Sequence, residues 1–454
     1  MTDNEIYWHA VTVLGRLGDR PHGDPHPSDV LTEVDRGHLD PDRLHTHLVH
    51  SKVVRLARHR LDGTSGGPRV RRLRELITDT DDHERRRHAT AAEPVRDVVR
   101  LVAAGGLRLM KGMAQQPLYP WPESRHVGDV DVHAPDLTGA LDLASALRRR
   151  GWCWDFKEFP WIKKDEAELV YGQLGLLLRD GTRPVSRVDI HFGAYSVGYA
   201  GRMPLVGWQD RTVLGTQVRV PATETALALI AAHALGDTRL SMKDVNDIHL
   251  LLDDTTVDWT SVLETVRIAG ALHALEHLLA ATDVVYGLPA GAPRLTSGRR
   301  PLRPTGLPSS VRGAYFGAHA RTDETARGTV DPEEVARCAA HYFEADLRPR
   351  LAHRPHAAPA PMAGGRDRCW RLLPDSAWPD AAPDEPVPDG EITRETFAPG
   401  LVLARLGDAA VVRLDTSAEA EAEAARPEVF LPTLDGDVTP ASVALARRLA
   451  GRGA

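Results

Sequence analysis

The sequence predicts an α+β fold: a small mixed sheet with helices packed on it, followed by a helical domain. Three stretches carry the prediction. VGDVDVH (residues 127–133) alternates after its glycine, the period of a strand. ELVYGQLGLLLRDGTRPVSRVDIHFG (168–193) reads as two strands joined near an Asp180-Gly181 turn signal. After residue 220 the period lengthens: Leu227, Ile230, Ala231 and Ala234 form one helical stripe behind Thr223, an N-cap candidate.

At 454 residues the chain exceeds a single core. Its composition suggests an N-terminal helical region (1–94), a core (95–220), a helical domain (221–350), a Pro/Ala/Asp-rich linker (351–390) and a C-terminal appendage (391–454). The net charge of -7 argues against a general nucleic-acid coat, so nucleic acid is not indicated as a partner. Lysine is rare. Of 56 basic residues, six are lysine (Lys52, Lys111, Lys157, Lys163, Lys164, Lys243) and the other 50 are arginine. Cys153, Cys338 and Cys369 show no metal-ligand spacing, which suits a reduced cytoplasmic interior. The first residues show no basic start followed by an apolar run, and no 18 apolar residues occur together. Neither a signal peptide nor a membrane span is therefore expected.

The elements follow in order. Residues 1–90 read as helices with polar loops, PHGDPHPSD (21–29) among the loops. RVRRLRELITDTDDHERRRH (69–88) is a charged helix with a solvated face, and Val95–Ala104 is helical. LRLMKG (107–112) reads as a buried strand ending at its glycine, followed by a proline-broken loop at 115–124. Asp136 caps a helix carrying Leu137, Ala140, Leu141, Ala144 and Leu147, which Gly151 closes. MKDVNDIHLLLDD (242–254) and residues 259–289 are further amphipathic helices. RPHAAPAPMAGG (354–365) and SAWPDAAPDEPVPDG (376–390) are linker-like. LVLARLGDAAVVRLD (401–415) reads as a hairpin, and the Ala-Glu run after Ser417 as a solvated helix or coil.

Period two places Asp129, Asp131 and His133 on one strand face, and Asp189 with His191 on a face of a later strand. Carboxylates in an apolar setting are costly unless paired or holding a cation. If the strands are neighbours, three acids converge and repel unless divalent ions sit between them. All-oxygen ligation favours Mg²⁺ or Mn²⁺. Two such ions can clamp the attacking and leaving oxygens of a phosphoryl or nucleotidyl transfer.

LMKGM, YPWPESRHVGDVDVHAPD, a helix ending RRRGW, and VDIHFG together resemble the uncharacterised nucleotidyltransferase family of the polymerase-β-like superfamily. The helical run with Arg239-Leu240 and Asp247-Ile248 is similar to that family's helical half, and the resemblance spans about residues 95–290. It implies a polymerase-β-like core in which Asp129 and Asp131 hold both metals and Asp189 completes the site that activates the acceptor. It implies a nucleoside triphosphate substrate, with Gly112 letting the backbone approach and Lys111 or Arg125 neutralising charge; Lys243 is a further nucleotide-binding candidate. One position departs from the wider superfamily. Gly112 is followed by Met113 rather than by glycine or serine, so a serine contact to phosphate is missing.

Each residue has a structural alternative. Lys111 is otherwise a surface lysine, Arg125 a partner of Asp129, and Lys243 an i,i+4 partner of Asp247. His133 and His191 are ligands or hydrogen-bonded core histidines. Two other functions stay open: a Mn/Zn metallo-phosphohydrolase using Asp129, Asp131, His133, Asp189 and His191, and a non-catalytic nucleotide-binding scaffold. The acceptor is a small molecule, a peptide or protein, or RNA. The role is in specialised metabolism or is toxin-like.

Overall fold

The computed structural model describes residues 3–18, 26–155, 160–164, 169–181, 183–196, 202–236, 241–253, 256–294, 368–373, 391–398, 401–406, 409–414, 429–433 and 440–450. Arg239-Leu240, the stretches 354–365 and 376–390, and the Ala-Glu run after Ser417 lie outside them, as does part of the 21–29 loop. The chain is mixed α and β, as its patterning predicts. Its contacts divide it into two units, Met1–Asp131 with Ala200–Pro308, and Val132–Tyr199 with Ser309–Ala454.

The first unit opens with helices α1 (Asp3–Gly15), α2 (Pro27–Asp35), α3 (Pro41–His50), α4 (Val54–Leu61) and α5 (Pro68–Ala104). α5 joins the two helical stretches expected at 69–88 and 95–104 and runs straight through Pro94. Buried Ala91, Val98, Val99 and Val102 continue its apolar stripe across the proline, and that packing outweighs the lost hydrogen bond.

β1 is only Arg108–Leu109, because Lys111 leaves the extended region and starts α6 (Lys111–Gln115). The strand expected over 107–112 therefore ends early. β1 pairs in parallel with β10 (Thr216–Pro221), which pairs antiparallel with β9 (Trp208–Val213). Leu214 and Gly215, both at positive φ, make the two-residue turn between them. The short strand β8 (Arg202–Met203) also belongs to this unit.

Helices α8 (Thr223–Gly236), α9 (Met242–Asp253), α10 (Trp259–Ile268) and α11 (Leu272–Tyr286) complete the first unit. The predicted helical run at 259–289 is thus two helices, parted at Gly270 with φ +65°. Polar bonds lock this half to the N-terminal helices. Asn246 Nδ2 donates to the Gly15 carbonyl at 2.9 Å, and the Tyr286 hydroxyl donates to Asn246 Oδ1 at 2.6 Å. The same hydroxyl accepts from the Leu17 N–H at 2.7 Å.

β2 (Val130–Ala134) carries the chain from the first unit into the second. There α7 (Leu137–Arg148) starts at Asp136, whose Oδ1 accepts the Gly139 N–H at 2.9 Å, the predicted cap. β3 (Cys153–Trp154), β4 (Trp161–Lys164) and β6 (Arg183–Phe192) all join β5 (Val170–Asp180) antiparallel, and β7 (Tyr195–Ser196) follows. Residues 368–373, inside the stretch expected to be linker, form β11 (Arg368–Leu373), antiparallel to β4 and to β15 (Val429–Thr433). β12 (Thr393–Ala398), β13 (Leu401–Leu406) and β14 (Ala409–Leu414) extend this sheet; β13 and β14 are the predicted hairpin. α12 (Pro440–Leu449) packs Val443, Leu445 and Ala446 into a core with Leu406, Val411 and Val429. No helix among the described residues is long and apolar enough to cross a membrane.

Candidate active site

A cleft in the first unit, about 540 Å³ with its open mouth included, gathers most of the residues singled out above. Lys111, Gly112, Arg125, Asp129, Asp131 and Lys243 all line it. Asp189 lies in the second unit.

The cleft begins at the turn from β1 into α6. Met110 is extended and Lys111 takes φ +45°, a left-handed backbone costing about 1–2 kcal/mol for a residue with a Cβ. The Lys111 ammonium donates to Asp131 Oδ1 at 2.7 Å. Gly112 is required by its neighbour: a Cβ there would meet Arg125 Nη1 at 2.8 Å.

Asp129 stands just before β2 and is partly buried; Asp131 is the strand's second residue and only 3 % exposed. Both faces of β2 are buried, so water cannot balance the Asp131 charge and the Lys111 ammonium does so.

The opposite wall is α9, whose first two turns bury Lys243, Asp244, Asn246 and Asp247. Burial on this scale is tolerated because each side chain is bonded. Asp247 receives Arg125 through two hydrogen bonds, and the Tyr119 hydroxyl donates to its Oδ1 at 2.8 Å. Arg125 is thus the partner of Asp247 and not of Asp129. Burial opposes its charge, but Asp247 holds the guanidinium above its usual range. Burial and the Asp247 charge push the Tyr119 phenol well up. Lys243 pairs with its neighbour Asp244 at 2.8 Å and not with Asp247. Asp244 also accepts from Ser241 Oγ at 2.5 Å. Burial would raise its carboxyl, yet Lys243, His233 and Ser241 together hold it well below the usual carboxylate range.

Several further residues line this cleft that the sequence pattern does not single out. Lys52 reaches it from the end of α3, and His126 lies 3.3 Å by Nδ1 from Glu84 Oε2. Gln115 is 2 % exposed, and among the described residues its Oε1 has no hydrogen-bond partner. A buried acceptor left so costs about 1–3 kcal/mol, so the site suits a ligand that donates to it. The rarity of lysine was the one sequence signal for Lys52.

In the second unit Asp189 is 5 % exposed and accepts from Arg187 Nε at 2.8 Å. Arg187 Nε also lies 3.4 Å from Oδ2 of Asp155, a buried acid with no sequence motif around it. His133 Nε2 lies 2.7 Å from the Gly193 carbonyl, which makes that nitrogen the donor and fixes the ring as a bonded core histidine. The His191 ring tilts against Tyr195 at 5.1 Å between centroids.

Among the described residues no group of three or more His, Cys, Asp or Glu side chains stands in a metal-holding arrangement. The pair Asp129 and Asp131 still fits a hard cation. Mg²⁺ is commonly held through one or two carboxylates, its other positions taken by water and substrate phosphates. In this structure the Lys111 ammonium, 2.7 Å away, balances the Asp131 carboxylate.

Residues 37–287 match a protein family described as uncharacterised nucleotidyltransferase. A solved antigenic nucleotidyltransferase-like protein from Paracoccidioides brasiliensis is 16% identical with TM-score 0.24, over 40% of this chain and 80% of that one. The Megavirus polyadenylate synthase is 11% identical with TM-score 0.27, over 43% of this chain and 40% of that one. No curated protein matches the chain.

Proposed function

Since the chain belongs to the uncharacterised nucleotidyltransferase family, we propose that it moves a nucleoside monophosphate from a nucleoside triphosphate to an acceptor and releases pyrophosphate. The observation that supports this most is the make-up of one cleft. Two acids a single residue apart line it with Lys111, Gly112 and Lys243, and among the described residues its other lining is polar or charged apart from Gly128, Leu229 and Ile230.

Asp129 and Asp131 would hold Mg²⁺ or Mn²⁺, which supplies charge neutralisation at the α-phosphate. Lys111 and Lys243 bind phosphate oxygens as point charges. Gly112 leaves the backbone open to the polyphosphate, where no serine follows to help. Arg125 acts by position. Its fork is committed to Asp247, and it packs under Gly112, so it fixes the turn that presents Lys111. Asp189 is assigned to the acceptor side on the family pattern alone. The acceptor's hydroxyl oxygen attacks the α-phosphorus and gives up its proton to water, the bond to the bridging oxygen breaks, and pyrophosphate leaves with the electron pair. The acceptor is a small molecule, a peptide or protein, or RNA.

The test is transfer of label from each α-phosphate-labelled triphosphate, with Mg²⁺, to components of a cell extract. The parent transfers label; Asp129→Asn, Asp131→Asn and Asp189→Asn each lose it. Equal transfer by the parent and all three variants would sink the assignment.

A further inference from the structure

We infer that Lys52, in the N-terminal helical region, is a third lysine contact to the polyphosphate of the substrate, beside Lys111 and Lys243. The inference rests on the function proposed above and adds a residue to that site.

α3 ends with Ser51 as its last half-helical residue. The Lys52 N–H donates to the Val49 carbonyl at 3.0 Å and the Val53 N–H to the Leu48 carbonyl at 3.2 Å. These are the two bonds of a Schellman helix end, whose left-handed residue is usually glycine. Here that residue is Lys52, at φ +57°. The position favours a residue with no side chain, and this chain places a long cation there, at the wall of the cleft.

The chain uses arginine for 50 of its 56 basic residues, yet three of its six lysines line this one cleft. A lysine is a compact charge that follows a phosphate oxygen without demanding the planar fork of arginine. Two of the three, Lys52 and Lys111, hold left-handed backbones, a conformation shared by only Leu214 among the other described non-glycine residues.

The Lys243 N–H donates to the Ser51 carbonyl at 3.2 Å, the peptide group immediately before Lys52. This bond joins the start of α9 to the end of α3 and places the two lysines on adjoining backbone at the cleft wall.

The test titrates the full chain with inorganic tripolyphosphate in the presence of Mg²⁺, by calorimetry, and compares Lys52→Gly and Lys52→Arg. Lys52→Gly is expected to bind about tenfold more weakly, equivalent to about 1.4 kcal/mol. Its melting temperature is expected to equal or exceed that of the parent, because glycine suits the backbone, which separates lost contact from lost fold. Lys52→Arg is expected to keep part of the affinity. Parent-like binding by Lys52→Gly overturns this inference and leaves the proposed function standing. No binding by the parent overturns both.

Discussion

Arg125 and Asp247 are 122 residues apart in the chain and meet in a buried two-point pair, Nε to Oδ1 at 3.0 Å and Nη2 to Oδ2 at 2.6 Å. The pair ties the loop before β2 to α9, the two walls of the cleft. Its side chains are 4% and 1% exposed, so neither charge has water to fall back on.

Asp247→Ala would strand the guanidinium and the Tyr119 hydroxyl in the interior. A stability loss of about 3–5 kcal/mol is expected in denaturant unfolding. Arg125→Lys should rescue little of it relative to Arg125→Met, because an ammonium lacks the fork. A loss under about 1 kcal/mol for Asp247→Ala, the range of a surface pair, would contradict the buried geometry.

Gly112→Ala places a methyl 2.8 Å from Arg125 Nη1. The guanidinium must shift, and a loss of about 1–3 kcal/mol is expected from overpacking. In the Arg125→Met background the same change should cost less, because the clashing nitrogen is gone. Additive losses in this double-mutant cycle would show that the two sites are independent.

Asp81 on α5 is fully buried and receives Arg55 Nε at 2.6 Å, Arg58 Nη1 at 2.8 Å and Arg85 Nε at 2.8 Å. Burial alone would raise its carboxyl, but Arg55, Arg85 and Arg58 hold it below its usual value. Asp81→Ala leaves three cations facing one another, and a loss of about 3–5 kcal/mol is expected. Thermal unfolding within a degree of the parent would refute this.

His88 on α5 carries a pH dependence. Burial, then the charges of Arg55, His126 and Arg87, bring its imidazole down to about 4. The unfolded chain, with histidine near 6.5, therefore binds more protons between about pH 4 and 6.5, and stability falls as pH drops through that window. Above about pH 6.5 both states are neutral and the contribution is complete. Melting temperatures of the parent and His88→Leu measured across pH 4–7 should show a shallower slope below about pH 6.5 in the variant. Equal slopes would remove His88 from the account.

The sequence makes local features legible and leaves distant ones hidden. The alternation around Val130 and Val132, the cap at Asp136 and the hairpin at 401–415 each follow from neighbours a few residues apart. Ion pairs do not. Proximity in sequence suggests Arg125 with Asp129 and Lys243 with Asp247, whereas the fold pairs Arg125 with Asp247 and Lys243 with Asp244. A buried fork needs a partner fixed on another element, and only tertiary packing supplies one. The Schellman end at Lys52 is hidden for a related reason: its usual marker, a glycine, is absent. Pro94 reads as a boundary because proline usually ends a helix, and here the buried stripe of α5 overrides it.

The most direct measurement follows one triphosphate labelled on both its α- and γ-phosphates, incubated with the protein, Mg²⁺ and a cell extract. The α-label is expected on an acceptor and the γ-label only in pyrophosphate, and Asp131→Asn is expected to abolish both. Release of the γ-label as inorganic phosphate, with no α-label on any acceptor, would instead mark a phosphohydrolase and contradict the account.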